Sequence, residues 1–327
     1  MLRTISGTFL SAVLLIIAYP QIEWWPLAWA AFVPLFLAID GKCYKSAFGW
    51  AYLCGFIFFA GTLGWFVYVT YPGAFLLIAY LSLYFALFGA AFKWARPLPL
   101  LSRLFIVPSV WVVLEFCRAH LFTGFGWVLL GHSQYKNLFL IQIADLTGVY
   151  GVSFVVMLVN VLIFESFKIC SLPCTVSGAG RAGEGGIIKA QILVGLILCL
   201  VLGYGAWRVV TFSHGPTVNV GVVQPNIPQA LKWDERLQPW VAQKTLILTR
   251  GFNNIRPDLI VWPETSLPGV TSEVPELVGQ IKAAARNMRA PILMGAITDE
   301  HNKYYNSAYL ISIDGKFAGR YDKIHLV

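Results

Sequence analysis

Long apolar runs, recurring through the first two-thirds of the chain between short charged or proline-bearing breaks, constrain its fold more than any other feature. A bilayer core about 30 Å thick is crossed by about 20 apolar residues in a helix, because intrahelical hydrogen bonds satisfy the backbone where water is missing. Seven such segments can be read, at approximately residues 2–19, 24–39, 46–69, 73–92, 104–121, 150–167 and 187–210, the second being the shortest. Composition agrees. Of 327 residues, 57% are hydrophobic and 12% charged, whereas soluble domains average roughly 45–50% apolar and 25% charged. The division along the chain is sharp, since residues 1–210 hold 6 of the 16 acidic side chains and the shorter stretch 211–327 holds the other 10. The expected organisation is therefore a transmembrane domain over 1–210 and a soluble α/β domain over 211–327.

The first segment follows Arg3 and lacks a small-residue cleavage site before Tyr19-Pro20, so it reads as a retained helix and not a signal peptide. Numbering the loops from the N-terminus, one side receives Arg3, Lys42, Lys45, Lys93, Arg96, Arg103, Lys168, Arg181 and Lys189, and the other Arg118, Lys136 and Arg208. Nine basic residues against three place the N-terminus in the cytoplasm under the positive-inside rule, and seven crossings then deliver residue 211 onward to the opposite, periplasmic face. The formal charge of +8 does not point to nucleic acid, because the basic residues are scattered between apolar runs and form no stripe. All six cysteines lie between Cys43 and Cys199, Cys170 and Cys174 have the wrong spacing for a zinc half-site, and no His pair follows them. Neither a disulfide framework nor a metal or cofactor site is expected.

Between the fifth and sixth segments, Glu115-Phe-Cys-Arg118-Ala-His120 continues through Leu121-Phe-Thr-Gly-Phe-Gly-Trp127 to Asp145, long and aromatic for a connector. Glu115 and Arg118 are three apart on one helical face, which suits an interfacial ion pair with Trp and Phe at headgroup level, or a wall of a lipid-entry cleft. Residues 171–186, rich in Gly, Ser and Ala, read as a flexible loop.

From Pro216 the apolar period changes. Strands are expected at 218–223, 258–262, 291–296 and 307–313, with a further strand starting at Phe317 after an Asp314-Gly315 turn, and helices at 237–253 and 275–289. Such alternation indicates a layered α/β domain. Glu264 directly follows a strand in Trp262-Pro263-Glu264-Thr265-Ser266, a seat from which a carboxylate can act as general base. Lys323, in Gly319-Arg-Tyr-Asp-Lys323-Ile-His325, is the second candidate, because an ammonium near a reacting carbonyl stabilises the developing oxyanion.

Taken together, Gly221-Val-Val-Gln-Pro-Asn-Ile-Pro-Gln229, Lys232-Trp-Asp-Glu235, Leu259-Ile-Val-Trp-Pro-Glu-Thr-Ser266, Tyr321-Asp-Lys-Ile-His-Leu326 and the membrane motif Leu121–Trp127 resemble the apolipoprotein N-acyltransferase family, whose soluble part is a nitrilase-type (carbon–nitrogen hydrolase) domain. The resemblance implies a multi-span helical bundle followed by part of an αββα sandwich. It also implies a ping-pong reaction in an inner membrane. A glutamate activates a cysteine thiol, the thiolate takes an acyl chain from a phospholipid such as phosphatidylethanolamine, and the α-amine of a diacylglyceryl-cysteine lipoprotein attacks the thioester. By motif position Glu264 is the base, Lys323 the lysine that stabilises the tetrahedral intermediates, and Trp233 a tryptophan near the substrate entrance, although Trp233 equally suits an aromatic belt at the membrane surface.

The resemblance also requires a nucleophilic cysteine beyond Lys323, a further acidic residue, the second half of the sandwich and a closing apolar span, so the chain reads as C-terminally truncated. Two other readings remain open. One is a membrane-tethered carbon–nitrogen hydrolase acting on small amides, and the other a non-enzymatic, transporter-like membrane protein. Because residues 211–327 contain no cysteine, the 327-residue chain alone is expected to be catalytically inactive. Incubation with labelled phospholipid should leave it unlabelled, and a stable thioester adduct would refute this.

Overall fold

A computed structural model of the chain describes residues 1–20, 22–122, 124–170, 179–212, 215–232, 234–267, 269–301 and 303–324. The chain divides into two compact units, Met1–Phe212 and Ser213–Val327.

The first unit is helical: α1 (Leu2–Ala18), α2 (Val33–Ile39), α3 (Tyr44–Leu63), α4 (Tyr71–Ala95), α5 (Leu100–His120), the single turn α6 (Leu138–Ile141), α7 (Ala144–Cys170) and α8 (Ala179–Thr211). Among the described residues, five helices are long and apolar enough to cross a membrane: Tyr44–Tyr68, Tyr71–Ala95, Leu100–His120, Ala144–Cys170 and Gly185–Thr211. The first two of the seven expected spans are shorter. The first is the 17-residue α1. The second is broken into a 3₁₀ turn, Trp25–Trp29, and the seven-residue α2. Pro26 and Pro34 each start one of these pieces, where the missing amide is harmless, and so interrupt what would otherwise be one helix. Residues 179–186, expected as loop, belong to α8, and 171–178 lie outside the described residues.

The break at residues 30–32 leaves backbone groups inside an apolar interior, and buried polar side chains take them up. Asn160 on α7 accepts from the Phe32 amide at 2.9 Å and donates to the Ala28 carbonyl at 2.8 Å. Ser11 on α1 accepts from the Leu35 amide at 2.7 Å. Around them lies an aromatic core in which Phe36 stacks on Phe92 with ring centroids 4.5 Å apart and Phe32 meets Trp111 edge-on at 4.8 Å. The α3 and α4 backbones approach closely at Gly89, where a Cβ would lie 2.7 Å from the Ala47 carbonyl oxygen, the small-residue contact that membrane helices favour.

One end of the bundle is tied by charge. Glu165 receives Arg96 at 2.6 Å and Arg103 at 2.8 and 2.9 Å, while Asp40 receives Arg96 at 2.9 Å and Lys168 at 2.8 Å. Glu115 and Arg118 do not form the expected interfacial pair with each other. Both are buried, at 3% exposure, and each is turned to backbone: Glu115 accepts from the Leu130 amide at 2.6 Å, and Arg118 donates to the carbonyls of Trp127 at 2.9 Å and Val128 at 3.3 Å. The segment at residues 127–130 is irregular, and its unpaired backbone groups compete successfully for both side chains.

The second unit holds β1 (Val220–Val222), β2 (Leu259–Val261), β3 (Ile292–Glu300), β4 (Lys303–Ile311) and β5 (Phe317–Asp322), with α9 (Gln229–Lys232), α10 (Gln238–Arg250) and α11 (Pro275–Met288). The sheet runs in the order β1-β2-β3-β4-β5, its first two pairings parallel and its last two antiparallel. Ile260, Ile292, Met294 and Ala296 on one sheet face are packed with Leu246 of α10 and Ile281 and Ala285 of α11. From β1 and β5, Val220, Val222 and Tyr321 are 48%, 68% and 63% exposed.

Replacing Arg118 with Met takes a charged donor from the half-buried Trp127 carbonyl and leaves the Val128 carbonyl with the Tyr19 hydroxyl, and is expected to lower stability by about 1–3 kcal/mol. Thermal unfolding of the chain in detergent measures this, and an unchanged midpoint would contradict the assignment.

Candidate active site

Strand directions bring the two sequence-derived site residues together. β3 and β4 are antiparallel, as are β4 and β5, so β5 runs the same way as β2 and β3. The C-terminal ends of β2 and β5 therefore share one edge of the sheet, the edge where α/β proteins commonly build sites. Glu264 follows β2 in a turn, and Lys323 follows β5 directly. Lys323 Nζ donates to Glu264 Oε1 at 3.0 Å.

Between these two strands lie β3 and β4, and Asn306 of β4 contacts both residues. The Asn306 Nδ2 donates to Glu264 Oε1 at 2.6 Å, and the Asn306 carbonyl accepts from the Lys323 amide at 2.8 Å. β5 is held in place beyond the main-chain ladder. Asp322 accepts from Ser307 Oγ at 2.6 Å and from Arg320 Nε at 2.8 Å, and Arg320 also reaches Glu300 at 3.0 Å.

The turn carrying Glu264 crosses β3 at Gly295. A Cβ there would lie 2.6 Å from the Thr265 nitrogen, 2.7 Å from the Glu264 Cα and 2.8 Å from the Pro263 carbonyl oxygen. Only glycine allows this approach, and any side chain must push the turn away. Lys232, at the end of α9, donates to the Glu264 carbonyl oxygen at 3.0 Å. Glu264, Asn306 and Lys323 line an open pocket of about 300 Å³, together with Trp262, Gly295 and Tyr321.

Hydrogen bonds from Lys323 and then Asn306 hold the Glu264 carboxyl below the ordinary glutamate range, against a smaller opposing effect of burial. The group is thus ionised at neutral pH and ready to accept a proton. Its folded-state pKa lies below the unfolded one, so the contact contributes stability above the ordinary glutamate range and loses it as pH falls through the lowered value. Solvent screens the pair, since the carboxylate side chain is 63% exposed and the lysine side chain 36%.

Trp233, His325 and Leu326 lie outside the described residues. Three residues of this arrangement, Asn306, Gly295 and Lys232, are not among the sequence-derived candidates. Asn306 escapes because the fourth expected strand begins at Ser307, whereas β4 begins at Lys303. The tyrosines at 304 and 305, which favour strands, were the available signal. Among the described residues, no group of three or more His, Cys, Asp and Glu side chains is placed to hold a metal ion.

Lys323→Met removes the stronger of the two contacts on the carboxylate, and the Glu264 pKa is expected to rise toward the ordinary glutamate value. A carboxyl-carbon NMR titration reads this directly, and an unmoved midpoint would argue that the two side chains do not meet.

The family model for the apolipoprotein N-acyltransferase N-terminal domain matches residues 11–162, and that for carbon-nitrogen hydrolase matches residues 219–327. An apolipoprotein N-acyltransferase of Geobacter metallireducens is 36% identical over 97% of this chain and 62% of its own length. The similarly named protein of Vibrio vulnificus is 29% identical, over 99% of this chain and 64% of its own. The chain thus spans between six-tenths and two-thirds of the length of these curated relatives. Among solved structures, a carbon-nitrogen hydrolase from Helicobacter pylori G27 matches with a TM-score of 0.27 and 19% identity, covering 33% of this chain and 40% of that one. An N-terminal amidase matches with the same TM-score and identity, covering 34% and 28%. In order and extent, these sequence matches make the chain similar to the apolipoprotein N-acyltransferases along nearly its whole length.

Proposed function

We propose that this chain carries the membrane domain (1–210) and the base-and-lysine half of the catalytic domain (211–327) of an enzyme that moves an acyl chain from a phospholipid to the N-terminal amine of a diacylglyceryl-cysteine lipoprotein. The observation that carries the reading is the contact of Lys323 Nζ with Glu264 Oε1 at 3.0 Å, in a chain whose other unit supplies membrane-length helices.

The roles follow from the chemistry. Glu264, ionised, takes the proton of a cysteine thiol, and the thiolate attacks the phospholipid ester carbonyl. Lys323 stabilises the negative oxygen of the tetrahedral intermediate. The lysophospholipid alcohol leaves with the proton that Glu264 held. The lipoprotein α-amine then attacks the thioester, loses a proton to Glu264, and the thiol is restored as the amide forms. Splitting the transfer through a thioester replaces one difficult step with two easier ones. Residues 211–327 do not supply that thiol, so they hold only the base and the oxyanion-stabilising group. Trp233, the residue after Lys232 in the sequence, is assigned to substrate contact.

The membrane helices serve the same chemistry. Both substrates are lipid-anchored, and a site held at the membrane surface raises their effective concentration. The nine-to-three distribution of loop lysines and arginines supports a cytoplasmic N-terminus in the inner membrane, with residues 211–327 on the periplasmic side.

The test uses the protein encoded by the complete gene, in membranes with labelled phosphatidylethanolamine and a diacylated lipoprotein. One acyl chain should appear on the lipoprotein N-terminal amine, and Glu264→Gln should reduce the rate at least about 100-fold, as expected for a general base. Release of ammonia from soluble amides, without acyl transfer, would overturn the proposal in favour of an amidase.

A further inference from the structure

The turn that presents Glu264 is strained and is held from two sides. Thr265 has a φ of 47°, in the left-handed region. A β-branched residue stays there only where its surroundings over-determine it. On one side, the amides of Ser266 and Leu267 donate to the Gly295 carbonyl at 2.9 and 3.2 Å, and Ser266 Oγ adds a third bond to it at 3.0 Å. On the other side, Lys232 Nζ donates to the Glu264 carbonyl oxygen at 3.0 Å and to Thr265 Oγ1 at 2.7 Å.

Those two acceptors define the turn. The Glu264 carbonyl belongs to the peptide group that precedes the strained φ, and Thr265 Oγ1 belongs to the strained residue itself. Held together by one ammonium, they fix both the peptide plane and the side-chain rotamer. A compact cation with three donors on a flexible stem suits two acceptors that do not lie in one plane, which a guanidinium fork would match less well. Lys232 is partly buried, and burial lowers its pKa while the neighbouring Glu264 charge opposes the shift.

We infer that Lys232 is a positioning residue, whose ammonium locks the Glu264–Thr265 turn and thereby aims the Glu264 carboxylate at Asn306 and Lys323. The inference deepens the acyl-transfer reading and rests on it only for the chemistry that the turn serves.

The experiment compares Lys232→Met, Lys232→Arg, Thr265→Gly and the Met–Gly double variant by two readouts. Hydrogen–deuterium exchange of the Ser266 and Leu267 amides is followed in the present chain in detergent micelles. Steady-state acyl transfer is followed in the protein encoded by the complete gene. Lys232→Met is expected to speed exchange at both amides about tenfold and to lower kcat about tenfold with KM changed less than about twofold, the scale set by losing hydrogen bonds from a charged donor. Lys232→Arg should recover much of the protection. In the Thr265→Gly background, where glycine adopts the positive φ freely, adding Lys232→Met should cost less than about threefold, because the two changes act on one strain. Unchanged exchange at Ser266 and Leu267 would overturn the inference. So would an equal rise at the β3 and β4 amides of Met294 and Tyr309, which reports loss of the fold, or a kcat loss undiminished in the Thr265→Gly background, which marks direct participation in catalysis. Faster exchange in Lys232→Met with no acyl transfer in the unmutated protein supports the positioning role and defeats the acyltransferase reading alone.

Discussion

In an apolar medium every backbone amide and carbonyl must find a partner within the protein, and the first unit is arranged around that requirement. Regular helices meet it automatically. Where the chain departs from them, at residues 28–32 and 127–131, and at the open first turn of α2, buried polar side chains arrive to meet it: Asn160, Ser11, Glu115, Arg118 and Ser153, whose hydroxyl accepts from the Gly131 amide at 2.8 Å. Asn160, Ser11 and Ser153 reach these segments from other helices, so satisfying the irregular backbone also fixes how those helices are placed, while Glu115 and Arg118 fold the segment that follows α5 back onto it. Polar residues that would weaken a helix in isolation are here what specifies the bundle.

The second unit solves a different problem, which is to hold two opposite charges near each other at a solvent-open sheet edge. Attraction between Glu264 and Lys323 is weak there because water screens it. The geometry therefore comes from the backbone: two parallel-directed strand ends, an intervening β4 that bonds to both residues through Asn306, and a turn seated on Gly295. The lysine has two opposing effects. It keeps the carboxylate ionised, which favours proton acceptance, and by stabilising that charge it makes the carboxylate a weaker base. An arrangement of this kind works best when the ammonium shifts its contact toward a developing oxyanion as the proton moves, releasing the carboxylate when it needs to be basic.

Much of this was legible in the amino-acid sequence, and the exceptions have physical causes. Long apolar periodicity located the helices from Tyr44 onward, because length and hydropathy alone decide them. The segment at residues 24–39 reads as one apolar run, yet it forms two helical pieces, because its two prolines act locally on helix continuity and apolar content does not register them. Glu115 and Arg118 were recognised as neighbours by their spacing, but spacing says nothing about backbone groups that arrive from a loop ten residues further on. In the second unit the alternation of strands and helices was clear, and Glu264 and Lys323 stood out by their positions after strands. Asn306 did not, because its role depends on which strands are neighbours, and strand order is a long-range property. Gly295 likewise lies within a readable strand, and its meaning appears only when the turn from Pro263 to Thr265 is seen crossing it.

The charge cluster of Asp40, Arg96, Arg103, Glu165 and Lys168 has a mechanical consequence for the bundle. It joins the C-terminal ends of α2, α4 and α7 to the N-terminal end of α5, so these four helices are clamped at a common end. The opposite ends are held by other means: Glu115 and Arg118 of α5 and Ser153 of α7 bond to residues 127–131, and Asp145 at the N-terminal end of α7 meets Arg208 and Tyr204 of α8. Pulling α4 or α5 away from α7 at the charged end would leave Glu165, whose side chain is 3% exposed, as a bare anion in apolar surroundings, so the clamp resists prying apart far more than a surface ion pair would.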